Sequence, residues 1–426
     1  MSFPKYPAYK DSGVEWIGEI PVGWIISPLR YLAHCLDGKR IPLNKEERSY
    51  KKGDIPYWGA NCIVDFVDEF LFNQELILLG EDGAPFFDKT KEVSFYINEP
   101  IWPNNHVHVL KVFENFSPKF LFYSLNCVEY SSYIEGSTRD KLTQNNMNRI
   151  VVPIPPLPEQ QAIASFLDRE CGKIDALIAE QERLIALLAE KRQAVISHAV
   201  TKGLNPNAPM KDSGIPWIGM VPEGWEIVRF SRLVAIAEGQ VDPKKEPYLS
   251  MILIAPNHIE SGTGRLLELT TAADQRAESG KYIYEAGAVI YSKIRPALAK
   301  VALAPLSGLC SADMYPLTSR GRLDQAYLAW LMLAPSFTAW AIMESDRVAM
   351  PKINREKLNE LMLPVPPLLE QIIIAEYITN ETIKFDELVA TANSAITLLK
   401  ERRAALISAA VTGKIDVRAQ SKALAA

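Results

Sequence analysis

The chain has 426 residues, 48% of them hydrophobic and 23% charged, and a formal net charge of −5. That composition is globular and leaves room for two to four domains, each with a core of its own. It holds no apolar run of about eighteen residues and no basic start followed by an apolar stretch, so neither a membrane-spanning helix nor a secretory leader is expected.

In chain order the first feature is "KDSGVEWIGEIPVGW", Lys10–Trp24, where Gly and Pro mark tight turns around aromatic bodies suited to burial. Block 25–152 follows, with short β-like runs such as "EVSFYI" and "HVHVLKVF" and one helical-looking piece, "PKFLFYSLNCVEYSSYI". Strand alternation puts His106 and His108 on one face, as a metal pair requires. No third ligand is in sight, so they read as ordinary strand residues and no metal site is assigned. The block ends in "EGSTRDKLTQNNMNRI", which crowds Arg139, Lys141, Gln144 and Asn145 together.

A Pro-rich lead-in then opens onto a helix expected over Glu159–His198. Its prolines fall where a missing N–H costs little, Glu159 suits the helix dipole, and "TKG" near residue 203 supplies the stop. Forty residues make a rod of about 60 Å.

The plan then starts again. "KDSGIPWIGMVPEGW", Lys211–Trp225, matches the first motif at ten of fifteen positions, where chance gives about one. A second block, 226–363, carries "VIYSKIRPALAK", with Lys293, Arg295 and Lys300. It also carries "ESDRVAMPKINREKL", with Arg347, Lys352 and Asn354. The final segment repeats the helix: Pro153–Leu204 and Pro364–Ile415 are identical at 24 of 52 positions. Lys141 and Lys352 share the helix offset of 211, so basic, amide-rich stretches recur at equivalent places. Arg and Lys suit phosphate oxygens and guanine edges, and Asn and Gln suit adenine.

Each helix shows a 4-3 apolar spacing with two polar intruders, an acid early and a base late: Glu170 and Lys191 in the first, Glu381 and Arg402 in the second. Parallel pairing would set like charges together. An antiparallel pair centred near Gln181 and Ala392 would set Glu170 against Arg402 or Arg403, and Lys191 against Glu381.

Catalytic signatures are missing: there is no phosphate loop, no H-E-x-x-H and no Asn-Pro-Pro-aromatic tetrad, and no catalytic residue is assigned. The five cysteines are scattered without a C-x-x-C pair, which suits a reducing cytoplasm. A negative balance is unusual for a protein that meets DNA alone, so either DNA is not the ligand, or the positive surface is local, or partner subunits supply part of it.

The whole arrangement resembles the specificity (S) subunit of type I restriction–modification systems. The twin Trp-Ile-Gly motifs, "GEDGAPF", "GSTRDKLTQNNMNRIVVPIPPLPEQ", "VIYSKIRP…KVALAP…CSADMYPL" and the twin "PPLPEQ"/"PPLLEQ" helices carry the likeness across essentially the entire chain. It implies two similar α+β target recognition domains, 1–152 and 206–363, and two spacer helices, 153–205 and 364–426, paired antiparallel as a coiled coil with a pseudo-twofold internal repeat. It also implies that each domain reads one half of a split, asymmetric site in double-stranded DNA, while the helices dock two methyltransferase subunits. Restriction (motor-nuclease) subunits join for cleavage. S-adenosylmethionine, ATP and Mg2+ would sit on those partners, with no cofactor on this chain. Two other readings use the same features: a stand-alone sequence-specific DNA-binding protein, and a duplicated protein-interaction scaffold.

Overall fold

Strand Leu76–Gly80 is an uninterrupted apolar run, buried along its whole length. It lies inside an antiparallel sheet ordered Ala33–Cys35, Val107–Val112, Leu76–Gly80, Ser94–Ile97. In the second half of the chain the buried run Val289–Ser292 takes the same place. Its sheet is ordered Val234–Ile236, Met314–Ser319, Val289–Ser292, Val301–Leu303, again antiparallel. Two blocks with faint sequence likeness therefore fold to one strand order, the α+β pairing expected of them. This computed structural model describes residues 3–136, 139–345 and 351–419. Among the described residues no single helix is long and apolar enough to cross a membrane.

The chain divides into two compact units: Met1–Glu182 with Ala392–Ala426, and Arg183–Thr391. The first long helix runs Leu157–Lys202 and the second Leu368–Val411, so each helix gives one half to each unit. Gly172 is carried inside the first helix on its exposed side, with open space where a Cβ would stand.

The twin Glu-Gln pairs at the helix starts have local work. Gln160 accepts from the Ser117 amide at 2.8 Å and donates to the Pro155 carbonyl at 2.8 Å. Gln371 repeats this with the Asp324 amide at 2.7 Å and the Pro366 carbonyl at 2.8 Å. Ser117 and Asp324 are themselves the N-caps of short helices, Pro118–Leu125 and Gln325–Leu333, so each glutamine ties a long helix to the domain beside it.

The repeated aromatic motifs close the other ends. Tyr9–Asp11 pairs with Glu19–Pro21, and Met210–Asp212 with Met220–Pro222. Trp24 and Trp225 are each only 1% exposed. In the first unit Pro21 and Trp24 pack on Gly413, just past the second helix; a Cβ there would stand 2.4 Å from Pro21 Cδ. In the second unit Pro222 and Trp225 pack on Gly203, just past the first helix. Both glycines have φ near +70°, the left-handed end geometry that favours glycine.

Antiparallel helix pairing is observed, but in another register. Within the first unit Arg403 meets Asp175 (2.9 Å), and within the second Arg192 meets Asp386 (2.5 Å). Facing Arg403 is residue 175 rather than 170, a displacement of five residues. The four expected pairing residues do not bridge the helices. Glu170 is held on its own helix by Arg169 and Lys173, each at 2.9 Å, and Glu381 by Lys384 at 2.6 Å. Lys191 and Arg402 point to solvent. The seam differs as well: Cys171 and Arg192 are buried where the 4-3 spacing placed Glu170 and Lys191, whereas Leu177, Leu184 and Leu388, which it also placed in the seam, are 52%, 40% and 50% exposed. Spacing of 3-4 fits the same sequence and moves every second seam position by one residue.

Candidate nucleic-acid interface

In the first unit the basic stretch folds back on the turn after strand Leu76–Gly80. Arg139 Nε lies 2.8 Å from Asp82, and Lys141 Nζ 3.5 Å from Glu81, with both basic side chains at least half exposed. Gly83 has φ +73°, and a side chain there would run into the Arg139 guanidinium. That explains the glycine in "GEDGAPF". Gln144 and Asn145 are exposed on the first turn of the short helix Gln144–Arg149, capped by Thr143. The structure thus brings Arg139, Lys141, Gln144 and Asn145 to one surface. Asn146 is instead buried, donating to the Tyr133 carbonyl and to Glu135.

Beneath this surface is a charged network. Arg40 binds Glu81 (2.7 Å), Asp37 (3.4 Å) and the Val107 carbonyl (2.7 Å). His108 is 1% exposed; its Nδ1 lies 2.5 Å from Asp37 and its Nε2 2.8 Å from the Leu142 carbonyl. Burial pushes the Asp37 carboxyl up, but the bond and charge of His108, the Val109 amide and Arg40 outweigh it and hold it below the usual carboxylate range. Cys35, Asp37 and His108 lie close enough to share an ion. Yet both His108 nitrogens are already taken up by the oxygens of Asp37 and Leu142, Arg40 already brings a positive charge, and burial pushes the Cys35 thiol up to about 11. His106, outside the strand, contacts Asp82 at 3.2 Å. Arg40 and Asp37 escaped the sequence reading; a "DGKR" turn has no distinguishing spacing.

In the second unit Lys293 sits over the Tyr315 ring (5.2 Å), and its carbonyl accepts from the Ile353 amide at 2.9 Å. Ile294 bridges to Lys352, and Arg295, exposed at φ 49°, donates its amide to the Pro351 carbonyl. Lys293, Arg295 and Lys352 therefore share one edge. Lys300 is turned inward, donating to the Pro256 carbonyl at 2.6 Å. Asn354 is the N-cap of helix Arg355–Glu360, accepting from the Lys357 amide at 2.9 Å. Both thus have a structural bond within the domain while remaining half-exposed. Arg347 lies outside the described residues. Arg355, beside Asn354, stacks over Tyr315 (5.0 Å) and Tyr282 (5.6 Å) while donating to the Ala237 carbonyl, so it braces the same edge.

No nucleophile–base pair accompanies these residues among the described clusters; cations, amides and aromatic faces are the chemistry of binding. The family described as "Type I restriction modification DNA specificity domain" matches residues 21–185 and 222–398. The type I restriction enzyme EcoDI specificity subunit of Escherichia coli is 29% identical over 424 residues, covering 94% of this chain and 90% of that one. The MjaVIII specificity subunit of Methanocaldococcus jannaschii is 22% identical over 421 residues, with 94% of each chain covered. A chain from a structure of the complex assembly and conformational transition of the type I R-M system superposes with TM-score 0.66 at 15% identity, covering 92% of this chain and 98% of that one.

Proposed function

Since the chain belongs to the type I restriction–modification DNA specificity family, we propose that its two domains read the two halves of one split, asymmetric DNA site and that its helices dock methyltransferase and restriction subunits. The observation that carries this is the pair of sheets with one strand order and different contact residues at the surface, exposed Arg139, Lys141, Gln144 and Asn145 in one unit and exposed Arg295 and Lys352 with half-exposed Lys293 in the other. Readers of one architecture and different surface select a non-palindromic sequence. Docking is supported by apolar side chains left uncovered on the helices, Leu177 and Leu398 in the first unit and Leu184, Leu187 and Leu388 in the second. In this reading two methyltransferase subunits bind, the reaction chemistry with S-adenosylmethionine, ATP and Mg2+ belongs to the partners, and the chain itself works in the cytoplasm without catalysing.

Lys141 is half exposed, and Glu81 keeps its Arg40 partner when Lys141 leaves, so Lys141 can exchange Glu81 for a phosphate. Lys141→Ala and Lys352→Ala are each expected to weaken the assembled complex on every DNA tested and to lower its salt slope by about 1. Affinity and slope unchanged in both would remove these lysines from the interface. The reading as a whole is tested by co-purifying the chain with a methyltransferase encoded beside it and mapping the methylated adenines. It expects a stable complex and one split sequence at a single gap; a palindromic or unsplit sequence overturns it.

A further inference from the structure

Two arginines sit where each recognition domain meets the helix pair. In the first unit Arg403, on the second helix, has a side chain 20% exposed and contacts Asp175 of the first helix at 2.9 Å and Glu92 of the domain at 2.7 Å. In the second unit Arg192, on the first helix, has a side chain 10% exposed and contacts Asp386 of the second helix at 2.5 Å. Its other nitrogen donates to the Thr263 carbonyl of the domain at 3.1 Å, and neighbouring Gln193 donates to the Gly262 carbonyl at 3.1 Å. Asp175 and Asp386, like Arg192 and Arg403, are separated by the helix offset of 211, so the duplication kept both halves of this device.

The domain contacts lead on to the candidate DNA-binding segments. Val93, next to Glu92, accepts from the Gly80 amide at 2.8 Å, and Gly80 precedes Glu81 and Asp82, the partners of Lys141 and Arg139. Gly262 donates its amide to the Ala299 carbonyl at 3.2 Å, in the segment that begins at Arg295. Each guanidinium reaches two partners at once, Arg192 through a hydrogen bond to each, and Arg403 through a hydrogen bond to Glu92 and an ion pair with Asp175 that is not aligned as a hydrogen bond; a lysine ammonium lacks that planar spread.

We propose that Arg192 and Arg403 are positioning residues: each sets the angle at which its recognition domain is held on the helix pair, and so sets how strictly that domain's half-site is read at one distance from the other. This rests on the split-site reading above. The arginines themselves touch no DNA in it.

The test uses the full chain assembled with its methyltransferase, acting on genomic DNA, with methylated positions read by sequencing. Wild type reports on the split-site reading alone, through whether one sequence appears at one gap. Arg403→Met keeps the apolar stem and removes the fork; Glu92→Ala, in a half-buried loop, removes the arm to the domain and leaves the helix contact standing. Both variants are expected to keep the same two half-sites and to raise methylation at gaps one base pair longer or shorter by about tenfold, equal to about 1.4 kcal/mol of lost discrimination. Arg403→Lys should restore little of it. A purely structural role lowers methylation at all gaps alike, so a uniform fall, or no change, in both variants overturns the proposal.

Discussion

Trp225→Ala is expected to destabilise the second unit by about 4 kcal/mol, the scale of emptying a fully buried aromatic site. Trp225 is 1% exposed, packs on Gly203 beyond the first long helix, and donates from Nε1 to Glu370 at 3.1 Å. Glu370 lies in the first turn of the second long helix, so one side chain fastens the end of one helix and the start of the other within that unit. Trp24 is the control. It is equally buried, but its Nε1 has no hydrogen-bond partner, and the corresponding Glu159 accepts from Tyr6 Oη at 2.6 Å instead. Replacing each tryptophan by phenylalanine keeps most of the packing. Trp225→Phe should then cost about 1 kcal/mol more than Trp24→Phe, the net value of one hydrogen bond. Residue-resolved hydrogen exchange separates the units, which a single melting curve does not. Equal protection losses in the two phenylalanine variants would show that the Glu370 bond contributes nothing.

The second large effect falls in the first unit. Asp37→Asn removes a carboxylate from a buried network and is expected to cost about 3 kcal/mol, because that carboxylate bonds the His108 ring and the Val109 amide and faces Arg40. The same residue sets an acid limit. Its carboxyl ionises lower in the folded protein than in the unfolded chain, so its contribution is fully present above the unfolded value of about 3.9 and is lost as pH falls from there through the folded value. Wild-type protection in strand Val107–Val112 should therefore drop below about pH 4, and in Asp37→Asn most of that pH dependence should be gone. A variant with the same acid profile as wild type would assign the sensitivity to other carboxylates.

The sequence was informative wherever a pattern was periodic or repeated. The twin motifs, the helix stop at Gly203 and the two α+β blocks all follow from residue type and spacing. Side-chain direction did not follow. Lys191 and Arg192 are adjacent bases, and only packing decides that Arg192 turns inward to Asp386 while Lys191 faces solvent. Glu170 had partners three residues along and beside it on its own helix, and those local pairs need no second helix to form. Among the candidate contacts, Lys300 and Asn354 have the same composition signal as Lys141 and Gln144. Their engagement in a carbonyl contact and a helix cap becomes visible only once the chain is folded. The Arg40–Asp37–His108 network was out of reach for the same reason: its members come from a turn and a distant strand and share no spacing.

In the proposed function each unit reads its own half-site. Exchanging residues 25–152 for the matching block of another family member, and mapping methylation by the assembled complex, tests it most directly. The expected result is a new sequence in one half-site, with the other half-site and the gap unchanged. Alteration of both halves, or of neither, would contradict it.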